Sequence, residues 1–208
     1  MSLDDAGGET PAQTRERLRD RFAPGAVRRM TQLGMLAGGA LHEIGAVAPV
    51  VVYASSYGES CALESYLDSF PTPSPTLFQT SIHPSGVQQA LIGSQQPVRE
   101  LYPLSGDKFL AGQALAAAAL AEAAGVVICG GEERGTYLLD HGVASDRAFG
   151  FALLLDRERS EASLGSVVIA PGGEATGLGL AAFFDLLKNR APFDDGVAPG
   201  WRAKLAWR

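Results

Sequence analysis

The sequence predicts an α/β fold built on a mostly parallel sheet. Two observations predict it. Short unbroken apolar runs recur along the chain (APVVVYA, VVIC, AFGFALLL, SVVIA), as expected of strands covered on both faces. Between them lie segments with apolar or small residues at helical spacing. Strand–helix alternation of this kind gives parallel strands joined by crossover helices. The predicted order is roughly αβαα–βαβ–ββ–α, with antiparallel strands near the end and no internal repeat of solenoid length.

The bulk numbers agree with one compact unit. With 208 residues, 46% of them hydrophobic and 19% charged, the chain can bury a sizeable core and is too apolar for disorder. It has no apolar run of roughly 18 residues, so no membrane span is expected. The start, MSLDDAGGETPAQTRERLRDRF, lacks the apolar core of a signal peptide, and a cytoplasmic location is expected. A net charge of −6 argues against general nucleic-acid binding. An acidic partner would need a local basic patch; Arg15, Arg17, Arg19, Arg21, Arg28 and Arg29 are the available residues, and solvated helix charge is the plainer use of them. Two cysteines are too few for a disulfide framework or a structural zinc site, and no cofactor is expected.

Residues 1–23 read as a polar lead-in, frayed or partly helical, to a single domain over 24–208, with Pro24-Gly25 as the break. Val27–Ile44 carries helical spacing, and its small residues (Ala37, Gly38, Gly39, Ala40) allow another element to approach closely. Ala48–Ala54 is a buried strand, 55–58 a turn and Cys61–Phe70 a short helix. Three prolines in PTPSPT make a stiff loop. A helix follows from about Pro84, and Gln96-Pro97 turns the chain into the strand Val98–Leu104. A tight elbow then enters an alanine-rich helix, about Lys108 to Ala124, of high helix propensity and slim profile, with Gly125 as its cap. Val126–Cys129 is a buried strand closed by Gly130-Gly131. The strands 148–155 and Ser166–Ala170 could form an antiparallel pair. Leu178–Lys188 is the last helix, and both tryptophans of the tail pin its end onto the body.

Several residues invite chemical readings. Cys61 opens a helix, where a thiol pKa is lowered, although no histidine stands nearby in sequence. Cys129 reads as a small buried hydrophobe. Ser105 and Lys108 form S-x-x-K, in which the lysine can take the serine proton one turn later; no S-D-N or K-T-G companion is present, and Ser105 or Asp107 as a cap for the next helix is the plainer reading. The stretch 171–179, PGGEATGLG, could hold an anion on backbone N–H groups, but a turn into the last helix suits it better. Glu132, Glu133, Asp140 and His141 show no metal-ligand spacing and read as solvated loop charge. His83 reads first as a capping or packing residue.

Three stretches in order, SIHPSGVQQALIGSQQPVRELYPLSGDKFLAGQALAAAA, AAGVVICGGEE and DRAFGFALLLDRERSEA, resemble the N-terminal half of β-ketoacyl synthases. AVRRMTQLGMLAGGAL and YASSYGESCALESYLDSF are similar to that family's opening elements. The resemblance covers residues 24–159 and rests on order and spacing. It implies a thiolase-like half fold. It also implies that the elbow after Leu104 stands where the family carries its acyl-accepting cysteine. Aligned from LAGQAL that position is Gly106; aligned from the strand it shifts to Asp107 or Lys108. None of these can hold an acyl group as a thioester, and the family's two catalytic histidines belong to a C-terminal half that this chain does not include.

The length, with Ser81-Ile82-His83-Pro84-Ser85 standing near a family Ser-x-His-Asn-Ala stretch, is similar to small ketosynthase-like proteins of aryl-polyene clusters. The resemblance implies a non-catalytic, chain-length-factor-like subunit of a fatty-acid or polyketide system. Its partner would be a full-length β-ketoacyl synthase or a second copy of itself, with acyl carrier protein as a further partner. The interface strand would be Val98, Arg99, Glu100, Leu101, Tyr102 and Leu104, with Pro103 removing one donor. Phe78, Phe109 and Leu110 are candidates for the floor of an acyl tunnel. The alternatives are a small acyl hydrolase or transferase acting through Ser105, and a homodimeric scaffold that binds carrier protein.

Overall fold

The computed structural model describes residues 1–23, 25–45, 50–95, 97–174 and 176–208. The Pro24 half of the expected break, residues 48 and 49 of the expected strand, Gln96 of the expected turn and Ala175 of the glycine-rich stretch lie outside the described residues. The chain is α/β, with eight strands and eight α-helices among the described residues. The helices are α1 (Pro11–Leu18), α2 (Gln32–Ile44), α3 (Ser60–Leu67), α4 (Pro75–Ser81), α5 (Ser85–Gly93), α6 (Leu110–Leu120), α7 (Tyr137–Asp140) and α8 (Leu180–Lys188). The strands are β1 (Ser2–Asp5), β2 (Val50–Ala54), β3 (Glu100–Leu104), β4 (Gly125–Glu132), β5 (Phe149–Asp156), β6 (Gly165–Pro171), β7 (Phe193–Ala198) and β8 (Trp201–Trp207). A five-stranded mixed sheet has the order β1-β5-β4-β2-β3, and a three-stranded sheet the order β6-β8-β7.

Two compact units share these elements. The first comprises Met1–Val47, Tyr57–Pro97 and Cys129–Leu153. Within it β1 pairs antiparallel with β5, Ser2 opposite Ala152. The expected lead-in is thus a strand followed by a helix, which begins at a Thr10/Gln13 capping box with Pro11 in the first turn. Leu18, Met30, Met35, Leu36 and Ala90 form the core of this unit, with Phe22 packed against it. The helix expected over Val27–Ile44 is interrupted: residues 26–29 form a 3-10 turn, and the Thr31 hydroxyl accepts from the Gly34 N–H to start α2 afresh. The close approach expected at its small residues is made by α5, since a Cβ on Gly38 would lie 2.6 Å from the Ala90 Cβ. The proline-rich loop gives way to α4 because the Ser74 hydroxyl accepts from Leu77 N–H and Pro75 suits the first turn.

The second unit comprises Ala48–Ser56, Val98–Ile128 and Leu154–Arg208. Here β2 and β3 pair in parallel, Val50 opposite Glu100 through Ala54 opposite Leu104. Helix α6 packs against β2, β7, β8 and α8; a Cβ on Gly112 would lie 2.4 Å from the Val197 carbonyl oxygen, so only glycine permits that approach. The alanine helix ends at Leu120, four residues before the expected end. Gly125 does not cap it but opens β4. The reason is Arg157, whose guanidinium donates to the carbonyls of Ala119, Ala121 and Ala123 (3.3, 2.7 and 3.0 Å) and so satisfies the free end of the helix.

Strand β4 runs on past Gly130-Gly131 to Glu132. Strands β5 and β6 do not pair with each other. The two neighbours of β5 are β1 and β4, while β6 pairs antiparallel with β8. That partner is the tail itself, where Ala203 and Leu205 point inward in alternation with exposed Arg202, Lys204 and Ala206. Trp207 does pin the end, its indole N–H donating to the Ala191 carbonyl at 2.8 Å.

Candidate functional site

The elbow lies in the second unit, between β3 and α6. Ser105, Asp107 and Lys108 are exposed, and Gly106 is half-buried. Neither Ser105 nor Asp107 caps α6 with its side chain, as the sequence had led one to expect. The first helical N–H of α6 donates to the Asp107 carbonyl (2.9 Å), and that of Ala111 to the Leu178 carbonyl (3.1 Å). Backbone carbonyls of the elbow and of Leu178 thereby do the work of a capping side chain. The Ser105 hydroxyl donates to the Ser56 carbonyl at 3.2 Å, and the Lys108 ammonium stands 4.8 Å from the centre of the Phe109 ring. The lysine is thus held at an aromatic face.

The glycine-rich stretch beside the elbow directs its donors inward. Gly172 N–H reaches the Gly200 carbonyl (3.0 Å), and both Gly177 N–H and the Thr176 hydroxyl reach Gly196 (3.3 and 3.0 Å). These groups tie the turn to the β7–β8 hairpin.

Strand β3 is an edge strand. Of the expected interface residues, Val98 and Arg99 precede it, Glu100, Leu101 and Leu104 are half-buried, and Tyr102 is exposed. Arg99 donates to the Glu100 carboxylate (2.8 Å), which also accepts from the Tyr102 hydroxyl (2.5 Å). Leu110 is fully buried at the start of α6. Phe78 belongs to the first unit, where it lies on α4 against Tyr66, ring centres 5.4 Å apart.

A second polar cluster sits inside the first unit, on residues that the sequence assigned to solvent. Glu132 and Glu133, read as loop charge, are 2% and 1% exposed. The Glu133 carboxylate accepts from Leu33 N–H (3.1 Å) and Cys61 N–H (3.0 Å), the first turns of α2 and α3. Glu59, its side chain fully buried, accepts from Gly86 N–H in the first turn of α5 at 2.8 Å. Its other oxygen stands 3.3 Å from His83 Nδ1. His83 thus packs against the Glu59 carboxylate. The helix starts meet at two glycines: a Cβ on Gly86 would lie 3.1 Å from both Gly34 Cα and the Glu59 carboxylate. Burial pushes the Glu133 carboxyl up to about 7; the Leu33 and Cys61 N–H groups oppose this, and the charge of Glu59 adds to it.

Cys61 is not activated by its helix. Burial first, then the charges of Glu133 and Glu64, push its thiol up to about 12, and its Sγ donates to the Arg134 carbonyl. Burial alone pushes Cys129 to about 12. Of the six arginines near the start, Arg17 pairs with Asp4 and Glu9, Arg19 with Glu16 and Arg21 with Glu43, so half of that basic charge is already neutralised. Among the described residues no helix is long and apolar enough to cross a membrane, and no cluster of three or more His, Cys, Asp or Glu residues could hold a metal ion.

No protein-family model matches the chain, and no curated protein matches it in sequence. Solved structures do. The ketosynthase ApeO in complex with its chain length factor ApeC from Xenorhabdus doucetiae is similar over 99% of this chain and 96% of the matched one, with a TM-score of 0.67 at 18% identity. The chain has the ketosynthase/chain-length-factor fold. The ishigamide ketosynthase/chain length factor is also similar, with a TM-score of 0.53 at 14% identity; 74% of this chain covers 52% of that one. The elbow lies at the junction of β3 and α6. The buried carboxylates had no counterpart in the sequence reading. The signal available for them was the pair of acids directly after an apolar strand, VVICGGEE, which a solvated loop would not need to place there.

Proposed function

We propose that this chain is a non-catalytic, chain-length-factor-like subunit that pairs with a full β-ketoacyl synthase in polyketide or aryl-polyene-type biosynthesis. The observation that carries the reading is the elbow. It follows an edge strand and opens a small-residue helix, yet offers only Ser105, Gly106, Asp107 and Lys108. Both thiols of the chain lie elsewhere, each pushed up to about 12. A condensation that requires a thiolate at the elbow would then fall to the partner. Strand β3 would supply a pairing edge for that partner, since among the described residues no strand pairs with its outer side, and Tyr102 is exposed there. The likeness to a ketosynthase solved with its chain length factor supports the same assignment.

The test is coexpression with the ketosynthase encoded beside it, followed by native mass measurement. The expected product is a one-to-one heterodimer. Tyr102→Lys, which places a charge on the pairing edge, is expected to abolish it while leaving the thermal midpoint of the isolated chain within a few degrees. A homodimer that ignores the ketosynthase overturns the proposal. Acyl transfer by the isolated chain that disappears in Ser105→Ala overturns it in favour of a serine acyl enzyme.

A further inference from the structure

Among the described residues β3 has one neighbouring strand, β2. The Ser55 N–H donates to the Leu104 carbonyl at 3.2 Å, in the parallel register that sets Tyr53 opposite Pro103. Backbone polar groups alternate in direction along a strand. Leu104, Tyr102 and Glu100 therefore turn theirs towards β2, and Leu101 and Pro103 turn theirs outward. Pro103 has no N–H, so it takes nothing from the β2–β3 ladder and removes a donor from the outer edge. Within β3 the Leu101 N–H is then the outward donor that remains.

We propose, building on the pairing edge of the preceding subsection, that Pro103 selects the partner: it handicaps pairing of β3 with a second copy of this chain more than pairing with a proline-free strand, and so reserves the edge for the ketosynthase. Symmetry supplies the difference. A two-fold pair is isologous, so whatever one strand lacks its twin lacks too. Two β3 strands laid antiparallel over their full length set Leu101 opposite the second copy's Pro103, and Tyr102 opposite Tyr102. Each Leu101 N–H then donates to a proline carbonyl, neither proline returns the bond, and half of the ladder is missing. A proline-free strand loses only the bond that this chain's Pro103 fails to donate, a quarter of the ladder. The side chains do not make this distinction. In the symmetric register Glu100 lies opposite Leu104, so no like charges face each other. Glu100 is moreover already engaged by Arg99 and by the Tyr102 hydroxyl. Discrimination is left to the backbone.

Pro103→Ala restores the donor and tests this directly. It returns two bonds to the symmetric pair and one to the mixed pair, and each net bond changes association about fivefold. In sedimentation equilibrium of the isolated chain, the variant is expected to self-associate about thirtyfold more tightly than the unaltered chain, while its affinity for the ketosynthase encoded beside it rises only about fivefold. Self-association that is unchanged, or strengthened no more than the mixed pair, overturns the proposal. The double variant Pro103→Ala/Tyr102→Lys sets lysine opposite lysine in the symmetric pair and is expected to return to monomer; a dimer that persists forms elsewhere and overturns the assignment to β3. Should Pro103→Ala fail to fold, Pro103→Thr, a better strand former, takes its place with the same expectations. A ketosynthase that binds neither form overturns the function proposed above and, with it, the reservation of the edge. The self-association of Pro103→Ala, which needs no ketosynthase, then still decides whether the proline blocks the twin.

Discussion

The elbow at 105–108 and the carboxylate cluster around Glu133 are both places where helices begin, and they are built in opposite ways. At the elbow, α6 begins without a capping side chain; its polar residues are exposed, and Lys108 rests at a neighbouring ring. In the cluster, α2, α3 and α5 begin on carboxylates delivered from elsewhere in the sequence and closed off from water. The difference shows which polar residues the fold depends on. A polar group at the surface exchanges one set of water contacts for another and contributes little net stability. One that satisfies buried N–H groups cannot be removed without leaving them unpaired. Conspicuous motifs in this sequence, S-x-x-K and PGGEATGLG, belong to the first kind, and the inconspicuous glutamates belong to the second.

Glu133→Ala is the substitution that presses hardest on this contrast. It strips the acceptors from the buried Leu33 N–H and the half-buried Cys61 N–H. Leaving the first unsatisfied and the second partly so costs about 1–4 kcal/mol together. Urea unfolding should show a midpoint displaced by that amount, and a loss below about 1 kcal/mol would mean that water reaches those donors and the cluster is not dry.

Arg157→Ala sits between the two extremes. Its guanidinium closes the far end of α6 from the surface, with three carbonyl acceptors. Those carbonyls can turn to water when the arginine is gone, so the expected loss is only about 1–2 kcal/mol by the same urea measurement. An effect as large as that of Glu133→Ala would show that exposed and buried terminal contacts are equivalent here, and would break the contrast.

How far the sequence foretold each region follows from the range of the contacts involved. The elbow was legible because strand, turn and helix are consecutive, so local periodicity and small-residue content place it within a few positions. Strand β2 and helices α5 and α8 were legible for the same reason. The hidden parts depend on partners far along the chain. Strand β1 is polar in sequence and is made a strand by β5, with Ser2 opposite Ala152. The tail reads as irregular until β6 gives it a ladder, Gly165 opposite Trp207. Glu133 looks like loop charge until Leu33, 100 residues away, is brought against it. The lowered thiol pKa that a helix start would give Cys61 is overridden by burial first, then by the charges of Glu133 and Glu64. Arg157 gives no sign in sequence that it will replace Gly125 as the end of the alanine helix. Each of these is a long-range contact overriding a local preference.

The smallest effect belongs to Ser105→Ala. Its hydroxyl makes one 3.2 Å hydrogen bond to the Ser56 carbonyl at an exposed position, and water can replace that donor at once. The loss of stability should stay within about 0.5 kcal/mol. This near-neutrality is useful because it separates structure from function at the elbow. A folded Ser105→Ala chain that still pairs with the ketosynthase would show that the serine is neither a structural cap nor a nucleophile on which pairing depends. A loss well beyond 0.5 kcal/mol would mean that the elbow is held as firmly as the buried helix starts. Gly106→Cys would then become the informative substitution: alkylation of that thiol faster than that of Cys61 would show that the elbow favours a thiolate.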